Sequence, residues 1–263
     1  MPYLSPALNV MTSAARKAGR KLIRDFGEIE NLQISMKGPA DFVSVADQRT
    51  ERMLVEEFQH ARSGYPILTE ESGLIDGPDK SHRFIIDPLD GTTNFLHGIP
   101  QFAISIGLRR EDTVIAGLIY NPANDELYIA ERGKGAFLND QRLRVAGRRR
   151  LDDCVVACGL PHIGRGDHDL SRREMTEIQK RVAGLRRFGA ASLDMAFVAA
   201  GRLDGYWERN LQAWDMAAGA ILIKEAGGVV SCVDGESDPL KTGNLICGNE
   251  YIHAELVKIL RPL

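Results

Sequence analysis

At 263 residues, 44% hydrophobic and 26% charged, with a net charge of −3, the chain has ordinary soluble globular composition and can hold one large domain or two closely joined halves. Nothing in that balance calls for nucleic acid or an acidic membrane surface as an obligatory partner, and no apolar run has the length of a membrane span or a signal-peptide core. The four cysteines, Cys154, Cys158, Cys232 and Cys247, lie on or beside apolar runs, which predicts buried free thiols in a cytoplasmic protein and no C-x-x-C redox or zinc pair.

The N-terminal stretch keeps a helical stripe of Leu8, Met11, Ala15, Ala18, Leu22 and Phe26, with Ser5-Pro6 as cap and first-turn proline. Its basic residues, Arg16, Lys17, Arg20, Lys21 and Arg24, also suit a transit peptide, but the stripe favours a domain helix with a basic solvated face. Residues 27–40 are polar and broken. A short strand over Phe42–Val45 then leads to Asp47, where a helix with Leu54, Phe58 and Ala61 on one face is expected to start; Asp47 reads by default as its N-cap. Tyr65–Thr69 predicts a strand that runs into Glu70-Glu71-Ser72, a strand end of the kind where sites gather in mixed α/β proteins.

Phe84-Ile85-Ile86-Asp87-Pro88-Leu89-Asp90-Gly91-Thr92-Thr93-Asn94 is the centre of the chain. An apolar strand is expected to stop at Asp87 and turn at Pro88, so that Asp87 and Asp90 converge with the carbonyl between them. Gly91 lets backbone approach an anion, and the Thr92 hydroxyl with a helix starting near Thr93 would face it. Beyond, Ala103–Leu108, Val114–Tyr120, Glu126–Ala130 and Gly135–Leu138 predict an antiparallel meander. The basic turn Gly147–Arg150 marks a boundary, giving an N-terminal half over residues 1–146 and a C-terminal half over 147–263 of one domain. No aromatics interleave there to stack bases.

The C-terminal half alternates strand Asp153–Ala157, helix Leu170–Val182 and a strand or turn over Leu185–Phe188. Between them, the glycine-rich loop Gly159–His168, with two histidines, could touch substrate, though a flexible connection is the favoured reading. Gly189-Ala190-Ala191-Ser192-Leu193 opens a small-residue helix running to Gly201, whose first amides are left accessible to a ligand. Of Arg186 and Arg187 just before it, Arg186 is favoured as a contact to phosphate or to a neighbouring subunit. Asp204–Glu208 reads as a strand ending in carboxylate. Trp214-Asp215 begins an apolar, buried helix that ends at Gly227-Gly228, with Asp215 either its N-cap or a ligand. A last helix spans Glu250–Leu260.

Asp87-Pro88-Leu89-Asp90-Gly91-Thr92-Thr93-Asn94-Phe95 resembles the first signature of the inositol monophosphatase family, and Trp214-Asp215-Met216-Ala217-Ala218-Gly219 with Glu225-Ala226-Gly227-Gly228 resembles its second. The resemblance covers nearly the whole chain, and Asp41–Asp47 matches a further stretch in which Ser44 stands where many members have threonine. It implies a layered α-β-α-β-α sandwich of the mixed α/β (α+β) type, usually dimeric, that hydrolyses small-molecule phosphomonoesters with two or three Mg2+ ions and is inhibited by Li+. The oxygen-only set Glu70, Asp87, Asp90 and Asp215 itself favours Mg2+ over zinc. By resemblance, Glu70, Asp87 and the Leu89 carbonyl hold one ion and Asp87, Asp90 and Asp215 another. Thr92 and Asp47 orient the attacking water. Gly91, Thr92 and the segment Gly189, Ala190 and Ala191 hold the ester, while Glu208, Asp90 and Asp215 face the hydroxyls of the alcohol. Inositol 1-phosphate is the expected substrate. Fructose 1,6-bisphosphatase, histidinol-phosphatase and nucleotide 3′-phosphatase activities remain alternatives, as does a non-catalytic, metal-dependent regulatory protein on the same scaffold.

Overall fold

A computed structural model describes residues 5–28, 34–38, 41–233 and 238–263, so part of the broken 27–40 stretch lies outside the described residues. Helix α1 (Pro6–Phe26) is capped by Ser5, whose hydroxyl accepts from Leu8 N at 3.3 Å, with Pro6 in the first turn. Strands β1 (Ile34–Gly38) and β2 (Asp41–Ser44) form a small hairpin leading into α2 (Val45–Ala61). The first large sheet takes β3 (Ile67–Thr69), β4 (Gly73–Ile75), β5 (His82–Asp90), β6 (Ala103–Arg110), β7 (Thr113–Asn121), β8 (Glu126–Glu131), β9 (Gly135–Leu138) and β10 (Gln141–Arg142), with α3 (Thr92–Leu96) between β5 and β6. The second takes β11 (Val155–Cys158), β12 (Gly184–Arg186), β13 (Gly205–Glu208), β14 (Val229–Ser231) and β15 (Leu245–Gly248), interleaved with α4 (His168–Gln179), α5 (Ala191–Ala199), α6 (Ala213–Glu225) and α7 (Pro239–Thr242) and followed by α8 (Glu250–Leu260).

The order in the eight-stranded sheet is β10-β9-β8-β7-β6-β5-β3-β4, so the meander read from the sequence is present as an antiparallel run from β5 to β10. Helices α1 and α2 cover one face, where Met11, Leu22, Leu54 and Phe58 pack with Phe84, Ile86 and Ile104. Helices α5 and α6 lie on the other face and also carry the five-stranded sheet, order β12-β11-β13-β15-β14, which α4 and α8 cover from outside. The layers are therefore α-β-α-β-α. The apolar character of α5 and α6 on all sides follows from that placement, since a helix between two sheets has no solvent face.

The approach of α6 to the first sheet is set by glycine. A Cβ on Gly117 of β7 would stand 2.5 Å from Ile221 Cγ2 and 2.8 Å from the Ala218 carbonyl oxygen, backbone that has no rotamer to give. Gly117→Val is therefore expected to destabilise the fold by about 1–3 kcal/mol through overpacking. A urea titration would show this as a lower midpoint, and an unchanged midpoint would refute the close contact.

The expected stop at Asp87 is replaced by something subtler. Strand β5 continues to Asp90, and its pairing with β6 slips between Asp87 and Asp90. The irregularity accommodates Pro88, which has no N–H for the ladder, and it re-aims the two aspartates without ending the strand. Helix α2 begins at Val45, so Asp47 lies inside its first turn and is not the N-cap. Among the described residues no helix is long and apolar enough to cross a membrane, and all four cysteines are buried and free.

Candidate active site

Parallel pairing brings the first carboxylates level. Strand β3 runs alongside β5 with Thr69 opposite Ile86, so Glu70 leaves its strand where Asp87 enters the irregular part of the next. Asp87 is 2% exposed and accepts from Leu89 N at 2.9 Å, which folds the Pro88 segment around its own carboxylate. Gly91 follows in the left-handed region at φ 87°, where a Cβ would lie 2.8 Å from the Gln101 carbonyl; only glycine turns the chain here without strain. The Thr92 hydroxyl then stands 2.9 Å from Asp47 Oδ1 and 3.0 Å from the Leu89 carbonyl oxygen. Residues far apart in the chain thus meet as a hydroxyl and a buried carboxylate.

Residues of β13, α5 and α6 close the site from the other side. Ser105, directly opposite Asp87 on β6, donates to the Trp214 carbonyl at 3.1 Å, which fixes the start of α6 against the first sheet. Asp215 is held by Gln212 N at 2.7 Å in a capping box, so Gln212 and not Asp215 is the N-cap. Asp90 Oδ2 accepts from Ser192 N at 2.8 Å and Ser192 Oγ at 2.5 Å. The opening amides of α5, expected to face a ligand, are therefore directed to Asp90, with those of Ala191 and Leu193 also bearing on it. Glu208 ends β13 and accepts from the Tyr206 hydroxyl.

These groups surround a cavity of about 280 Å³ whose wall includes Glu70, Asp90, Thr92, Ala191, Glu208 and Asp215. Burial raises Asp87 well above the usual carboxylate range, and Glu70, Asp90 and Asp215 push it further. Burial also raises Asp90 against the Ser192 bonds, and burial with the charge of Asp90 raises Asp215. Burial carries Glu208 up to about 7. Mutually repelling buried carboxylates of this kind suit a hard divalent cation, with no imidazole or thiolate in the set. As placed, no group of three acidic, histidine or cysteine side chains among the described residues converges closely enough to hold an ion.

Of the residues singled out in the sequence, Asp90, Gly91, Thr92, Gly189, Ala191, Glu208, Asp215 and Glu70 line the cavity, Ala190 is buried beside it, and Asp87, Leu89 and Asp47 lie beneath. Arg186, favoured over its neighbour in the sequence, is exposed and donates to the Leu185 carbonyl at 3.0 Å, whereas Arg187 lines the cavity. The loop whose sequence favours a flexible connection also lines the cavity, through Gly159, His162 and Arg165. Cys158 pairs with Trp207, which sets Gly159 beside Glu208; a Cβ there would sit 1.8 Å from the Glu208 carboxyl carbon. Sequence reasoning also missed Glu51, buried on α2, which accepts from Glu71 N at 2.9 Å and from the Ser72 hydroxyl and so holds the turn carrying Glu70. Its place one turn beyond Asp47 on the same helix was the available signal. Asn94 was missed as a brace: its amide donates to the Gln101 and Phe188 carbonyls, both at 2.8 Å, tying the Gly91 turn to Gly189.

A sequence profile described as the inositol monophosphatase family matches residues 4–262. The chain belongs to the inositol monophosphatase family. A relative named inositol-1-monophosphatase, from Mesorhizobium japonicum, is 57% identical over 260 residues, 98% of each chain. The solved structure of extragenic suppressor protein suhB from Bartonella henselae superimposes with a TM-score of 0.95 at 54% identity, covering 98% of this chain and 99% of that one. Nus factor SuhB of Escherichia coli is 38% identical over 258 residues, 98% of this chain and 97% of its own length. The layered sandwich described above is thus the inositol monophosphatase fold, and its bulged β5 bears the family's first signature.

Proposed function

We propose that this family member is an inositol-1-monophosphatase, a phosphoric monoester hydrolase that releases phosphate from inositol 1-phosphate with Mg2+. The observation that carries the reading is the Thr92 hydroxyl on buried Asp47, 2.9 Å apart, beside the carboxylates of Glu70, Asp87, Asp90 and Asp215. Relatives above half identity bear that activity as their name, which supports the same substrate here. Glu70, Asp87, the Leu89 carbonyl, Asp90 and Asp215 would hold the metal, and bound there it would lower the pKa of a water and offset phosphate charge. Thr92 would orient an attacking water in line for phosphorus, its hydroxyl accepting the water's proton as it passes its own to Asp47 Oδ1. Ser192 fixes the rotamer of Asp90, and Glu208 accepts hydroxyls of the alcohol. A cytoplasmic homodimer belongs to the same proposal.

The test is phosphate release from inositol 1-phosphate, fructose 1,6-bisphosphate, histidinol phosphate, adenosine 3′,5′-bisphosphate and glycerol 2-phosphate. Preference for inositol 1-phosphate, dependent on Mg2+ and suppressed by Li+, is expected. Preference for another ester would overturn the substrate, and no release from any would favour the non-catalytic, metal-dependent regulatory alternative.

The carboxyl shifts predict a pH signature. Groups whose pKa rises on folding bind more protons folded than unfolded, so metal-free stability falls as pH rises from the ordinary carboxylate range to about 7, where Glu208 titrates. A metal competes with those protons. Mg2+ is therefore expected to raise the melting temperature more at about pH 8 than at about pH 5.5, and where free Mg2+ is ~100 times its dissociation constant the stabilisation amounts to about 2.7 kcal/mol. Equal shifts at both pH values would count against carboxylate ligation.

A further inference from the structure

We infer that Asp194 is a specificity residue for the alcohol half of the substrate, accepting a polyol hydroxyl alongside Glu208; this rests on the hydrolase reading above. Asp194 stands in the first turn of α5 and is 1% exposed, yet it forms part of the wall of the cavity that Asp90, Glu208 and Asp215 share. Its Oδ1 is buried without a hydrogen-bond partner. Buried carboxyl oxygens in folded proteins nearly always have one, so an unmatched acceptor on a cavity wall points to a donor that arrives with the ligand.

The local donors are committed elsewhere. Ser192, two positions earlier, gives both its amide and its hydroxyl to Asp90, and the Tyr206 hydroxyl goes to Glu208. Burial and the nearby Glu208 both raise the cost of charge on Asp194, and Arg187 on the same wall offsets the charge of Asp194 and of Glu208. Two neighbouring acceptors whose charge Arg187 offsets match two neighbouring O–H donors. That is the pattern of a vicinal diol, and an alcohol without further hydroxyls offers nothing to fill it. The substrate class is accordingly phosphate esters of polyhydroxylated alcohols. A site built to accept hydroxyls discriminates steeply against an analogue that lacks them, because its acceptors are then left unpaired.

The test compares kcat and KM of the full chain for inositol 1-phosphate and for p-nitrophenyl phosphate, whose alcohol has no other hydroxyl, in wild type, Asp194→Leu and Asp194→Ala, neither of which can accept a hydroxyl. Thermal melting checks that each variant is folded, and the second replacement serves if the first does not fold. The expected result is that the ratio of kcat/KM between the two esters falls by about 10-fold, mainly through a higher KM for inositol 1-phosphate. A parallel loss on both esters, or an unchanged ratio, would overturn the inference by assigning Asp194 a purely structural role. A wild-type protein inactive on both esters would remove the hydrolase reading itself and the inference with it, a result separable from the first by the wild-type control.

Discussion

Replacing Asp90 by Asn is expected to lower Mg2+-dependent turnover by about 10³-fold or more while the protein stays folded. Removal of one charged ligand forfeits several kcal/mol of charge stabilisation in the transition state, and each 1.36 kcal/mol is about a factor of ten in rate. The fold survives because an Asn side-chain carbonyl can still accept from Ser192 N and Oγ, the bonds that pin this side chain at 2.8 and 2.5 Å. Removing a charge from a cluster in which Asp87 and Asp215 are both raised by it also relieves repulsion. Metal-free Asp90→Asn should therefore melt no lower than wild type in EDTA, while the gain in melting temperature on adding Mg2+ shrinks. A variant that retains turnover would exclude Asp90 from the reaction. One that is inactive and melts well below wild type would show instead that its role is to hold α5.

The second large effect is expected at Asp47 and Thr92, the pair proposed to orient the water. Asp47→Asn should reduce kcat by about 10²–10⁴-fold with little change in KM, the range for loss of a positioned proton acceptor. Thr92→Val removes the hydroxyl that stands between Asp47 and the Leu89 carbonyl and should cost a similar factor. Because the two act as one unit, the double variant is expected to be scarcely worse than either alone. Multiplicative losses in single-turnover kinetics would mean that they work on separate steps.

Much of this site was legible in the sequence because it is written in contiguous segments. Asp87 to Thr92 is one uninterrupted stretch, and Glu208 and Asp215 sit at a strand end and a helix start that turn residues announce. What the sequence left open depends on register and on long-range contacts. That β5 bulges at Pro88 without ending could be known only from β6, which keeps pairing beyond it. The fate of the α5 amides could not be read locally, because the acceptor that takes them, Asp90, is 102 positions away in the chain. Gly159 looked like loop glycine, and its reason is a carboxylate from another strand packed against its Cα. Arg187 reaches the cavity and Arg186 does not, a difference of side-chain direction at a strand end that two adjacent arginines do not disclose.

The burial of α5 and α6 between the two sheets bears on how the protein loses its activity. Their side chains join residues of both sheets in a single apolar cluster, in which Ile119 and Tyr128 meet Leu193, Met216, Tyr206 and Cys247. The same helices carry Asp215 and the Ser192 that anchors Asp90, so the proposed reactive groups and the joint between the two sheets are one object. No partly melted form that keeps only one sheet can retain a working centre. Inactivation by denaturant should accordingly coincide with global cooperative unfolding, with no dormant intermediate ahead of it.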